Sequence, residues 1–230
     1  MLPLAWDMCW VWKSFGEQHH RGAMLADVLL ALLATALHWD WLDIALLLGI
    51  GFFGMLRPGE LLALWVRDLI FDSDPLFTDS MFVRIIAPKM RRLGPRWEHV
   101  RIDDADFVRF TRVMTRGLDR DTVLFTGGYF ALSDLFRQLC LHFSVSNVDG
   151  TGLTPASLRS GGATFWYRRT DSTEFVRYWG RWANSRMLRI YIQEAAACSF
   201  LADQPAPVQD RIRAAARLTP WILHQLLAEF

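Results

Sequence analysis

At 230 residues, with 52% hydrophobic and 21% charged residues, the chain is long enough for one domain with a substantial core and too apolar to be disordered. Cys9, Cys140 and Cys198 are widely spaced and lie outside any CxxC or Cys/His cluster, which argues against a disulfide framework or a zinc site and for a reducing interior. The net charge of +1 does not by itself point to a polyanion partner, but the charges are unevenly distributed along the chain.

From Met1 to Leu56 the acids Asp7, Glu17, Asp27, Asp40 and Asp43 outnumber Lys13 and Arg21, and the pattern is helical with apolar runs. The runs Ala31 to Leu37 and Ile44 to Leu56 are divided by the polar and aromatic segment from His38 to Asp43. Neither reaches the ~18 residues of a membrane span, so both predict buried helices. The opening residues carry acids and histidines where a secretory signal keeps a cationic end and a clean apolar centre, so no targeting segment is read and an intracellular location is expected.

Next comes GFFGMLRPGELLALWVRDLIF, where Pro58 suits the first position of a helix and Glu60 its first turn, placing Arg57 at the helix entrance. The segments DLIFDS, MFVRIIAP and WEHVRIDD are short, rich in β-formers and separated by turn-like SDP and RRLGP. They predict a small three-stranded antiparallel sheet. Between Arg84 and Arg101 the residues Arg84, Lys89, Arg91, Arg92, Arg96 and Arg101 face Glu98 alone, a basic patch on that sheet.

Helical periodicity returns over Asp106 to Leu118, Tyr129 to Phe143, Pro155 to Arg169, Thr173 to Trp179 and Arg186 to Ala197, with one or two more helices from Val208 to Phe230. In LTPASLRSGGATFWYRR, Thr154 is a suitable cap, Pro155 fits the first helical position and Arg159 follows in the first turns. Two arginines at helix entrances suit an anion, because helix N-termini and guanidinium forks both favour phosphate oxygens. Ser160-Gly161-Gly162-Ala163 costs helix stability, roughly 1 kcal/mol per glycine relative to alanine, so a neighbouring element should approach closely there. Finally, in YWGRWANSRMLRIYIQEAAA, Trp182 precedes Tyr191, which falls on a pattern that predicts an amphipathic helix. Each feature alone has an ordinary reading: a helix start, a helix packing contact, a half-buried packing tyrosine.

Taken in order, these segments resemble the tyrosine recombinase (phage integrase) family across roughly Asp27 to Cys198. The family's first box, G-L-R-x-x-E-L-x-x-L, is matched by Gly54 to Leu64, with Arg57 and Glu60 at the family spacing. A lysine on a sheet hairpin follows, for which Lys89 is the best match and Arg91 and Arg92 are close competitors. The second box, H-x-L-R-H before small residues, is matched by Ala156 to Thr164, with Arg159 as the second arginine and Ala156 in the histidine position. The third box, glycine then histidine or tryptophan and a tyrosine about nine residues on, is matched by Gly180, Trp182 and Tyr191. One residue is inserted between Gly180 and Trp182, and GRW with IYI looks especially like recombinases of eukaryotic mobile elements.

The resemblance implies a mainly α fold with a small three-stranded antiparallel sheet, and DNA breakage and rejoining through a 3′-phosphotyrosine without metal or cofactor. Tyr191 would be the nucleophile and Arg57 and Arg159 would hold the phosphate. Lys89 would protonate the leaving 5′-oxygen, Trp182 would offer its indole N–H, and Glu60 would orient an arginine. Arg91, Arg92, Arg96, Arg181 and Arg186 would contact double-stranded DNA. A phenol has an ordinary pKa of about 10 and needs a proton acceptor, so Ala156 in the histidine position implies a slow or inactive enzyme.

The expected organisation is a lead-in over residues 1–26, a catalytic domain over 27–200 and a helical tail over 201–230, with DQPAP as linker. The tail could pass to a neighbouring protomer on DNA or fold back on its own core. No membrane or small-molecule partner is expected. Open beside the recombinase reading are a catalytically degenerate DNA-binding module of the same fold, a type IB topoisomerase, and a helical scaffold or interaction protein.

Overall fold

The apolar runs near the start of the chain become two packed helices at the centre of the molecule, α1 (Ala26–His38) and α2 (Leu42–Phe53). The computed structural model describes residues 22–72, 79–86, 98–145 and 152–228. Helix α2 is buried on every side from Ile44 to Phe53, as an all-apolar helix must be in water. On α1 the one polar residue of the buried face, Thr35, turns its hydroxyl back to Ala31 O at 2.9 Å. No helix among the described residues is long and apolar enough to cross a membrane.

After the single-turn α3 (Pro58–Leu61) and a 3-10 turn at Val66–Asp68, the chain forms β1 (Leu69–Phe71), β2 (Met81–Ile85) and β3 (Glu98–Ile102). All neighbours are antiparallel in the order β1-β2-β3. The register pairs Met81 with Ile102 and Val83 with Val100, so the period-two alternation puts these residues on the buried face. The fold class expected from the sequence is the one observed.

Two arginines of the basic stretch serve this sheet. Arg84 donates through Nε and Nη2 to Oδ1 of the fully buried Asp68 at 3.0 and 2.9 Å. Arg101 donates to Asp103 at 2.6 Å. Carboxylates outside the stretch answer them, so the described part of the patch is less cationic than its sequence. Lys89, Arg91, Arg92 and Arg96 lie outside the described residues, as does most of the lead-in.

The second half is helical: α4 (Ala105–Met114), α5 (Gly128–His142), α6 (Ser157–Thr170), α7 (Thr173–Trp179), α8 (Ser185–Arg189), α9 (Glu194–Ala202) and α10 (Ala206–Ala228). Asp104 caps α4 by accepting Phe107 N–H at 3.0 Å, and Ser172 caps α7 by accepting Phe175 N–H at 3.1 Å. Thr154 does not cap α6 as expected. Its backbone N–H donates to Ser157 Oγ at 3.1 Å, while Pro155 and Ala156 sit in a tight turn before the helix. A second departure is the helix expected over Arg186 to Ala197, which is two helices with Tyr191 in the turn between them.

Helix α6 crosses α2 closely because it carries glycines where the two meet. A Cβ at Gly161 would stand 2.6 Å from Met24 O, and one at Gly162 would overlap Phe52 O. Trp166 Nε1 also donates to Phe53 O at 3.1 Å. The tail helix α10 lies on α1, where Thr219 donates to Leu30 O at 2.8 Å, and its Val208, Ile212 and Leu223 join the main core. A smaller, separate cluster holds Met55, Ala163, Trp166, Val176, Trp182 and Leu188, with Tyr191 packed against it.

Candidate active site

The first box is set by a reversal after α2. Met55 adopts φ 51° and Leu56 N–H returns to Gly51 O at 3.0 Å, which delivers Arg57 to the start of α3. Glu60 folds back over that start: its carboxylate accepts Arg57 N–H at 2.9 Å and Arg57 Nη1 at 2.7 Å. The first box therefore closes on itself: Glu60 makes the returning half of a capping box, while its own N–H donates to Arg57 O at 2.9 Å. Helix α3 is one turn long, so its own carboxylate, rather than the helix end, determines the charge met by an approaching anion.

Arg159, in the first turn of α6, is only 2% exposed. Its Nη1 donates to Met55 O and its Nη2 to Gly180 O at 2.8 Å, so one guanidinium ties the first and third boxes together. The guanidinium carbon lies 4.2 Å from the centroid of the Trp182 ring and 5.5 Å from that of Tyr191. Desolvation, followed by the like charges of Arg57 and Arg181, lowers the proton affinity of Arg159. A cation held this way gains when an anion arrives.

Trp182 and Tyr191 complete the group, with ring centroids 5.1 Å apart and a 56° tilt. Trp182 is buried and wedged against Gly180, where any Cβ would collide with the indole. Thr164 of α6 fixes the tyrosine turn: its hydroxyl donates to Tyr191 O at 3.2 Å and accepts Gln193 N–H at 3.1 Å. Tyr191 is half-buried, and its hydroxyl makes no hydrogen bond among the described residues. Three buried side-chain N–H groups have no acceptor among the described residues: Arg159 Nε, Arg181 Nε and Trp182 Nε1. Unpaired donors in one small volume are costly unless a ligand or water satisfies them.

Arg181 departs from its expected place on a DNA-facing surface. With φ 59° it turns its side chain inward, where it is 8% exposed. There it donates through Nη2 to Glu60 at 2.9 Å and through Nη1 to Glu98 of β3 at 2.9 Å. Two carboxylates draw it in. Arg186, by contrast, is exposed on α8. Sequence reasoning missed the roles of Glu98 and Thr164, and the one signal for Arg181 was the extra residue between Gly180 and Trp182. Ala156 stands in the turn before α6 and brings no titratable group.

Among the described residues no group of three or more His, Cys, Asp or Glu side chains could hold a metal ion. No protein-family model matches the sequence, and no curated protein matches it. Solved structures do. A XerH site-specific recombinase bound to difH substrate in a pre-cleavage complex superposes with a TM-score of 0.53 at 18% identity, covering 71% of this chain and 48% of that one. The chain has the tyrosine recombinase catalytic-domain fold. The post-cleavage XerH complex on palindromic difH gives a TM-score of 0.54 at 15% identity over 80% of this chain and 54% of that one. XerA recombinase gives 0.54 at 17% identity over 81% and 66%. The chain thus spans about half to two thirds of the length of these recombinases, and at such identities the likeness is one of fold.

The Glu60 carboxylate makes this recombinase-fold site sensitive to acid. Burial pushes its pKa up, but the charge and hydrogen bond of Arg181 and the N–H and charge of Arg57 outweigh it and hold the group at about 2, against an ordinary 4.5. A carboxylate lowered in the folded state stabilises fully above its unfolded value, and that contribution is lost as pH falls through the folded one. The contribution is on the order of 3 kcal/mol. Urea unfolding of parent and Glu60→Gln from pH 7 to 2 should give stability curves that differ most above pH 4.5 and converge as pH falls towards 2. Parallel curves would show that Glu60 is not held down by its arginines.

Proposed function

We propose that this chain breaks and rejoins DNA as a tyrosine recombinase. The observation that carries the reading is the convergence of Arg159, Trp182 and Tyr191, with Arg57 near enough to repel Arg159, on one volume whose buried N–H donors have no acceptor among the described residues. A phosphodiester placed there would offer its nonbridging oxygens to those donors. They would act most strongly as charge gathers on the oxygens in the transition state.

In the proposed step Tyr191 Oη attacks the phosphorus and loses its proton, the bond from phosphorus to the 5′-oxygen breaks, and that oxygen takes up a proton. The products are a 3′-phosphotyrosine and a free 5′-hydroxyl, and attack by a second 5′-hydroxyl reverses the step on a new strand. Lys89 is assigned as the proton donor from the resemblance alone. Ala156 offers no proton acceptor for Tyr191, so turnover is expected to be slow. Double-stranded DNA is the proposed partner, held by Arg186 and by Arg91, Arg92 and Arg96 of the basic stretch. The recombinases of this fold captured on difH support that choice. Leu218 and Trp221 stay exposed on α10, and through them the chain would meet a second protomer on DNA.

The test is a pool of nicked suicide duplexes randomised around the nick, in which the cut fragment diffuses away and traps the covalent intermediate. Parent protein should give DNA adducts that survive denaturation, and Tyr191→Phe should give none. The same substitution should leave the unfolding free energy from urea within about 0.5 kcal/mol of the parent, since the lost hydroxyl has no partner among the described residues. DNA retention without adduct would move the chain to the degenerate binding module, for which Ala156 is the favouring residue. No retention even at low salt would leave the scaffold reading.

A further inference from the structure

We infer that Arg181, inserted between Gly180 and Trp182, is a positioning residue that keeps the phosphate site cationic by neutralising Glu60. The inference rests on the recombinase reading above. It deepens that reading by giving a function to the position where this chain departs from the family spacing.

The geometry starts from the turn. Arg181 N–H donates to Tyr178 O at 3.2 Å and Trp182 N–H to Arg177 O at 3.0 Å, so the chain closes a loop with Arg181 at its tip in the left-handed region. Non-glycine residues adopt that conformation at an energetic cost, and it persists only where other contacts impose it. Here the imposed result is an inward guanidinium bridging Glu60 of the first box and Glu98 of β3.

The charge balance shows what the bridge does. Among the described residues, Arg57, Arg159 and Arg181 set against Glu60 and Glu98 leave this group with one net positive charge. Without Arg181, Arg57 and Arg159 would face two carboxylates, with Glu60 only 2.7 Å from Arg57 Nη1 and no other described side chain hydrogen-bonded to it. Arg57 would then be neutralised by its own neighbour instead of by the phosphate. Burial raises the stakes, since Coulomb interactions strengthen in the low-dielectric interior. A buried ion pair is weak evidence for stability, because its desolvation offsets its attraction. A triad placed beside the candidate phosphate ligands is better explained by charge control than by stapling β3 to α3.

The experiment uses the DNA captured by the parent protein, prepared as two nicked suicide substrates. One has the ordinary scissile phosphodiester. The other has a methylphosphonate there, which removes the nonbridging negative charge that the arginines must neutralise. Arg181→Met should slow single-turnover adduct formation on the phosphodiester roughly 10- to 100-fold. On the methylphosphonate it should come within a few-fold of the parent, as Arg57→Ala should. Arg181→Lys, which keeps the charge, should fall between parent and Arg181→Met on the phosphodiester. Urea midpoints identify any variant that merely unfolds, and a structural staple would not be rescued by neutralising the DNA. Arg181→Met cutting the phosphodiester at the parent rate would overturn the inference. So would an equal defect on both substrates alongside a rescued Arg57→Ala. Both outcomes leave the recombinase reading intact, whereas a parent protein that forms no adduct overturns that reading and this role together.

Discussion

Gly162→Ala is expected to unfold the protein at markedly lower urea than the parent, by about 3 kcal/mol or more. Helix propensity alone predicts the opposite, since alanine is favoured over glycine in a helix by about 1 kcal/mol. Packing decides the sign. The added Cβ would overlap the carbonyl oxygen of Phe52 and stand 3.0 Å from Met55 Cγ, and a backbone carbonyl inside a buried helix cannot step aside as a flexible side chain can. Relief requires α6 to move away from α2. That movement would pull Arg159, three residues earlier on α6, away from Met55 O, so adduct formation should fall with stability. Gly59→Ala is the control: nothing lies within 4 Å of its Cβ, and the change should be neutral or stabilising by up to about 1 kcal/mol. Equal small effects at both sites would mean that the close approach of α6 to α2 is not present in solution.

The same pair of glycines shows what the sequence could convey. Two adjacent glycines inside a helical pattern state that something comes close, and the structure identifies it as Phe52 and Met24. Alternating apolar residues in MFVRI were enough to place β2 and its buried face, because a strand with one buried face has only one acceptable register. The ordered boxes likewise named four side chains that the structure brings together: Arg57, Arg159, Trp182 and Tyr191. The failures have a common physical origin in contacts distant in sequence. The break at Tyr191 is imposed by Thr164, whose hydroxyl serves both the carbonyl of Tyr191 and the amide of Gln193, so a locally helical pattern yields to a tertiary hydrogen bond. Arg181 reads as a surface cation until Glu60 and Glu98 are seen around it. Arg84 likewise belongs to Asp68, a partner hidden in the preceding turn.

Arg159→Met should separate chemistry from stability. Two opposing effects set the folding cost. Losing the guanidinium removes the partners of Met55 O and Gly180 O and the contact with Trp182, and each buried carbonyl left unpaired costs about 1–3 kcal/mol. Against this, a buried cation pressed by Arg57 and Arg181 is replaced by an apolar side chain of similar length, which removes both its desolvation and its repulsions. The two nearly offset, so the net loss in a urea titration should stay below about 2 kcal/mol. Cleavage has no such compensation. Among the described residues only Arg159 connects the first and third boxes while lying against both Trp182 and Tyr191, and its removal should lower single-turnover adduct formation by at least about 100-fold. Arg159→Lys should recover little, because one ammonium cannot serve two carbonyls and a phosphate with the geometry of a planar fork. A stability loss as large as that of Gly162→Ala would mark Arg159 as a structural cation, whereas a folded but inactive Arg159→Met would place its function in binding the phosphate.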